Sequence, residues 1–205
     1  MVNTILFDFD GVLTLDATGS QSICNYICKE TGVDKDLFKK EYKKYNNDLL
    51  YGKTKHEDIW EKICIGINKE ISIEILYDSF INTPIDNEMY DLIKNIKNRN
   101  YKTGLITDNK KDRIDKITKY YSFYNIFDVI TVSAEIGSGK DDEKIFRKAI
   151  QRLNVKSEEC IFIDNQEKNL VVPKEMGMET IYYNHEERNI VRLLNELRDL
   201  GIDLS

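Results

Sequence analysis

The sequence predicts an α/β protein: a five-stranded parallel sheet with an all-helical segment inserted after its first strand. Three observations carry that prediction. Thr4 to Phe7 is a short apolar run of strand length that ends abruptly in polar residues, as a strand buried on both faces would. Residues 15–85 follow a helical period throughout. From residue 86 helices and strands alternate, a pattern that implies right-handed crossovers and a parallel sheet.

The inserted segment reads as successive amphipathic helices. Cys24 and Cys28 stand beside Ile23 and Ile27 at helical spacing and are expected to pack. Phe38, Tyr42, Tyr45 and Leu49 share one helix face. Gly52 ends that helix, and Thr54 with Glu57 forms an expected capping box before Ile59, Trp60, Ile63 and Ile67. His56, among charged neighbours, is expected on a solvated face. Ile73, Leu76 and Phe80 make a further helix that stops near Pro84. Beyond it, Met89 to Ile96 reads as helix, Tyr101 to Ile106 as strand, Ile114 and Ile117 as helix, and Val129 to Val132 as strand. Ile145 to Leu153 then reads as helix, Cys160 to Ile163 as strand, Leu170 to Met176 as helix, Thr180 to Tyr183 as strand, and Ile190 to Leu197 as the closing helix. The expected domains are therefore a core of residues 1–14 and 86–205 and a helical cap of residues 15–85.

A net charge of −6, with basic residues interspersed among acids, argues against sequence-independent binding to nucleic acid. Cys24, Cys28, Cys64 and Cys160 lack metal-type spacing and are read as reduced thiols. With no membrane-length apolar run and no leader-like N-terminus, a cytoplasmic protein without membrane partners is expected. No pattern in the sequence specifies an oligomeric state.

The chemistry concentrates where strands give way to loops. Phe7 runs into Asp8-Phe9-Asp10-Gly11, Ile106 into Thr107-Asp108-Asn109, and Ile163 into Asp164-Asn165. Each group alone is ordinary turn composition. In an open α/β sheet, however, ligands bind outside the carboxyl ends of the strands, where distant stretches converge.

The string Asp8-Phe-Asp10-Gly11-Val-Leu-Thr14 resembles the first motif of the haloacid dehalogenase superfamily phosphatases. Thr107 is similar to the second motif of that family. Lys140, within Gly137-Ser-Gly-Lys140-Asp-Asp-Glu-Lys-Ile145-Phe146, is similar to the third, and Asp164-Asn165 through Met176-Gly177-Met178 to the fourth. Two departures stand out: Asp141 replaces the usual proline, and Asn165 replaces a frequent second aspartate. The resemblance implies a Rossmann-like core under a helical cap, a small phosphorylated substrate, and Mg²⁺ held by Asp8, the carbonyl of Asp10 and Asp164, with Asn165 behind them. It also implies roles. Asp8 attacks phosphorus to form an aspartyl-phosphate, Asp10 protonates the leaving group and then activates water, and Thr107, the backbone of Asp108 and Lys140 hold the phosphoryl oxygens. Elementary chemistry agrees, because a carboxylate can approach a phosphate dianion only with cations beside both.

The leading expectation is thus a Mg²⁺-dependent phosphatase, with a sugar or polyol phosphate as a candidate substrate. A phosphomutase on the same frame and a catalytically silent phosphate-binding module are the alternatives. The family's sugar mutases tend to carry a histidine soon after the first motif, and residues 15–25 contain none. Dehalogenase relatives lack the second aspartate that Asp10 supplies.

Overall fold

The structure, a computed structural model, describes residues 2–204; the outermost residues of the expected core, 1 and 205, lie outside them. Five strands, β1 (Thr4–Phe7), β2 (Lys102–Thr107), β3 (Val129–Val132), β4 (Cys160–Asp164) and β5 (Glu179–Tyr182), form one parallel sheet in the order β3-β2-β1-β4-β5. All five expected strands form. β2 and β4 run further than the apolar runs alone indicated, so that Thr107 and Asp164 are themselves the last residues of their strands. The ladder continues because their backbones still pair even where the side chains turn polar: Thr107 lies opposite Val132 and Asp164 opposite Tyr182.

Sheet burial explains why the strands were readable. Ile5, Phe7, Leu105, Ile161 and Ile163 point into one apolar layer. Leu6, Ile106 and Phe162 point into the other, against Ile145, Phe146 and Ala149. With both faces covered, a strand has no reason to alternate polar and apolar residues.

Between β1 and β2 the chain builds α1 (Gly19–Thr31), α2 (Lys35–Leu50), α3 (His56–Gly66), α4 (Ile73–Ile81) and α5 (Asn87–Asn98). Phe38, Tyr42 and Leu49 are buried on α2, with Tyr45 half-buried beside them. Cys24 and Cys28 pack as free thiols. Two connections tie this insertion to the sheet. They run side by side, with the Leu15 N–H donating to the Pro84 carbonyl at 2.9 Å and the Asp86 N–H to that of Leu13 at 2.9 Å. The remaining helices are α6 (Lys111–Tyr121), α7 (Ser133–Ile136), α8 (Glu143–Leu153), α9 (Val171–Glu175) and α10 (Ile190–Asp199). No helical period could announce α7, which is a single turn.

Two local expectations are corrected. The N-cap of α3 is Lys55 rather than Thr54, and its N–H donates to Asp58 rather than meeting Glu57, at 3.0 Å. His56 is fully buried, not solvated. Its Nε2 lies 2.8 Å from the Tyr42 hydroxyl on α2 and its Nδ1 2.7 Å from the Asp112 carboxylate on α6. Polar partners on both ring nitrogens make its burial affordable.

Candidate functional site

The strand order reverses direction at β1, whose neighbours β2 and β4 lead outward to opposite edges. The carboxyl ends of β1, β2 and β4 therefore lie side by side at a topological switch point. Phe7 sits opposite both Leu105 and Ile163, which brings Asp8 level with Asp164 and sets Thr107 one residue further along, although most of the chain separates the first from the last. After Asp8 the backbone turns through Phe9–Leu13. Gly11 there has φ +86°, and a Cβ on it would lie 2.2 Å from Asn165 Nδ2. Only glycine serves both the turn and the close approach. From outside, Arg188 holds the turn by donating to the carbonyls of Val12 at 2.8 Å and Thr14 at 3.1 Å, and to Asp86 at 2.7 Å.

Lys140 stands at the centre of the floor. Its ammonium lies 2.7 Å from Asp8 Oδ1 and 2.6 Å from Asp164 Oδ2, and all three side chains are buried. Burial alone would lower the lysine's pKa, but Asp8, Asp164 and Asp108 together raise it above the ordinary value and keep it charged. Desolvation pushes the Asp8 carboxyl upward against the pull of Lys140. Asp164 is further fixed by Asn169 Nδ2, 3.1 Å from each of its oxygens, and by the Gln166 N–H at 2.8 Å.

Asp10 is held differently. Arg113, entirely buried on α6, grips both its oxygens at 2.9 Å, and Asn109 Nδ2 adds a third contact at 2.6 Å. The arginine also lies over the Phe9 ring. Asn109 Nδ2 reaches Thr107 Oγ1 as well, at 3.2 Å, which leaves the threonine hydroxyl proton available to a ligand. Asp108 accepts from the Lys140 N–H at 3.0 Å and so positions the lysine loop through its side chain.

Every residue expected at the site is therefore brought together. Arg113, Asn109, Lys110 and Asn169 were not singled out in the sequence. The one signal for Arg113 was a charge beside the apolar positions Ile114 and Ile117 on a helix otherwise amphipathic.

Among the described residues no group of three or more His, Cys, Asp or Glu side chains could hold a metal ion. A cation here would draw on two carboxylates, Asp8 and Asp164, a main-chain carbonyl and water, an oxygen-only set that suits Mg²⁺. Among the described residues Asn165 Oδ1 is buried beside the site with no hydrogen-bond partner, as a group would be that accepts a hydrogen bond from a metal-bound water.

Over the floor lies a cavity of about 650 Å³, closed from above by α1 and α2 and within the range of small-molecule sites. Thr18, Ser20, Gln21, Tyr42 and Asn46 line its upper part, and Asp8, Asp10, Thr107, Asp108 and Lys140 its base. Lys110, also buried, bonds Ser20 Oγ at 3.1 Å and lies over the Tyr42 ring.

Comparison with known proteins agrees with this fold. The family model described as haloacid dehalogenase-like hydrolase matches residues 2–177. Pyrophosphatase PpaX of Bacillus cereus (strain Q1) is 25% identical over 190 residues, covering 87% of this chain and 82% of the relative. A predicted HAD-like family hydrolase from Porphyromonas gingivalis superposes with a TM-score of 0.68 at 24% identity, covering 97% of this chain and 98% of the other. The HAD family enzyme bt-2542 from Bacteroides thetaiotaomicron, in complex with magnesium and inorganic phosphate, superposes with a TM-score of 0.69 at 17% identity, covering 89% and 94%.

Proposed function

The chain belongs to the haloacid dehalogenase-like hydrolases, and from that premise we propose that it is a Mg²⁺-dependent phosphatase acting on a small phosphorylated metabolite through an aspartyl-phosphate. The observation that carries the reading is the Lys140 ammonium set between Asp8 and Asp164 at the strand tips. It supplies the charge compensation without which a carboxylate could not approach a phosphate. Bound Mg²⁺ would add to that compensation. Residues 1–14 and 86–205 are proposed as the catalytic core and 15–85 as the cap. No helix among the described residues is long and apolar enough to cross a membrane, and we place the enzyme in the cytoplasm.

In this mechanism Asp8 Oδ attacks phosphorus, the bond from phosphorus to the leaving oxygen breaks, and Asp10 gives that oxygen a proton. Asp10 then takes a proton from the water that cleaves the acyl phosphate. For both steps Asp10 must exchange its grip on Arg113 for the substrate. Thr107 and the Asp108 backbone hold the phosphoryl oxygens. The polar lining from Ser20, Gln21 and Asn46 supports a hydroxylated leaving group such as a sugar or polyol. The name carried by the Bacillus relatives makes inorganic pyrophosphate a second candidate.

The test is hydrolysis of p-nitrophenyl phosphate with and without Mg²⁺, coupled to acid-quench trapping of an acyl phosphate. Metal-dependent turnover with the label on Asp8 is expected; turnover without any covalent phosphoenzyme would remove the aspartyl-phosphate step.

A further inference from the structure

The roof of the cavity carries cations that the chemistry at the floor does not use. Lys35, Lys39 and Lys43 follow one another at four-residue intervals on α2, which stacks them along one helix face, and all three line the cavity. None of them makes an ion pair among the described residues. Their neighbours do: Lys44 pairs with Glu41, and Lys53 with Asp48 at 3.8 Å. Like charges at this spacing repel, so the row costs the helix some stability. Lys168 adds a further cation to the lining from the core side.

Lys110 makes the same point from a buried position. It is 3% exposed and has no carboxylate partner within ion-pair distance among the described residues; its ammonium is held only by Ser20 Oγ, with the Tyr42 ring beneath. Ser20 in turn bonds Asn46 Oδ1 at 3.1 Å. Burial, with Arg113 nearby, lowers its pKa to about 7. A buried ammonium without a counter-ion is expensive to maintain, and an anion in the cavity would relieve the cost. In a chain of net charge −6, the six lysines that line this cavity, five of them besides Lys140, outnumber its three aspartates and run against the overall sign.

The charge of the transferred phosphoryl group is already met below, by Lys140. The extra cations are therefore placed to meet charge on the other half of the substrate. Resting on the phosphatase reading, we infer that the cap and the core loop before α6 together form a second anion subsite, with Lys39 and Lys43 from the cap and Lys110 from the core recognising a phosphate or carboxylate on the leaving group. The substrate is then a multiply anionic phosphate ester or anhydride rather than a neutral sugar or polyol phosphate. Ser20 and Asn46 contact whatever joins the two ends.

The decisive measurement separates binding from turnover. The Asp8→Asn variant is titrated calorimetrically with inorganic pyrophosphate and with inorganic phosphate. Pyrophosphate is expected to bind about 10-fold tighter or more, and adding Lys39→Gln with Lys43→Gln, or Lys110→Gln, is expected to shrink that gap at least about 5-fold. Lys94→Gln, on the exposed face of α5, is the control and should leave it unchanged. Because Lys39 and Lys43 are exposed, their double variant tests the subsite even if Lys110→Gln misfolds. Kinetics on the parent then identify the source of the charge. Phosphoglycerate is compared with glycerol phosphate for a carboxylate, and a hexose bisphosphate with a hexose monophosphate for a phosphate. Pyrophosphate bound no better than phosphate, or a gap that survives both sets of substitutions, overturns the subsite. Failure of the phosphatase reading has a different signature: no Mg²⁺-dependent turnover of any ester while the binding gap persists.

Discussion

The floor and the roof of the cavity solve opposite electrostatic problems. On the floor each buried charge has a partner within 3 Å: Lys140 with Asp8 and Asp164, and Asp10 with Arg113. On the roof Lys35, Lys39 and Lys43 line the same space, and none of them forms an ion pair among the described residues. A paired buried charge fixes geometry and is costly to break; an unpaired partly solvated charge adds little to folding and is left free to meet a ligand. Stability and recognition are thereby assigned to different halves of one site.

The largest effect tests the floor. Asp8→Asn keeps the shape at the end of β1 but removes the nucleophile, so kcat should fall by roughly 10³-fold or more. Because Lys140 keeps Asp164 as its partner and burial already disfavours the charge on Asp8, the unfolding midpoint should change little. Steady-state kinetics beside thermal unfolding check both halves of that statement. Substantial remaining phosphatase activity would show that Asp8 is not the nucleophile.

Arg113→Ala should strike fold and function together. It strands the Asp10 carboxylate in a buried setting, and removing one member of such a pair costs about 3–5 kcal/mol. Urea unfolding reads that loss. Arg113→Lys keeps the charge but cannot repeat the two-pronged grip and should recover only part of it. If Arg113→Ala unfolds like the parent, the floor is not the rigid, fully paired half described above.

The same contrast decides what could be read from the sequence. Asp8, Thr107 and Asp164 were legible because each closes an apolar run, and burial on both faces of the sheet makes such runs continuous. Lys140 was legible through the string around it. Arg113, by contrast, meets a carboxylate 103 positions away along the chain, and no local period encodes that meeting. His56 was misplaced for a related reason. Its neighbours in sequence are charged, but its neighbours in space are Tyr42 and Asp112, contributed by two other helices. The lysines of α2 were visible as residues and silent as a site until the fold turned their face toward Asp8.

A smaller effect concerns the metal. Asn165→Asp restores the second acid common among relatives of this motif, next to an amide oxygen that here has no partner. Groups behind a metal's ligands commonly change affinity by about 10-fold or more. The Mg²⁺ dissociation constant measured by calorimetry should fall by about that factor, whereas Asp164→Ala should abolish binding. An unchanged or weaker constant in Asn165→Asp would return Asn165 to an ordinary role, packing over Gly11.

The smallest expected effect tests the roof. If Lys39 and Lys43 are held for a ligand and not for the fold, replacing them with glutamine should cost no stability in the free protein. Glutamine is nearly as good a helix former as lysine, so propensity is almost neutral. No ion pair of these lysines among the described residues is lost, and two repulsive contacts at four-residue spacing, Lys35 with Lys39 and Lys39 with Lys43, are removed, each worth about 0.2–0.5 kcal/mol. The double variant should therefore unfold at the same urea concentration as the parent or slightly above it. That gain should shrink as salt is added, because screening weakens the repulsion in the parent. Inorganic pyrophosphate should reverse the order: it stabilises whichever protein binds it, and so should raise the parent's midpoint more than the variant's. A double variant clearly less stable than the parent without ligand would mean that these lysines serve the fold, and the division of labour between floor and roof would fail on its cheaper side.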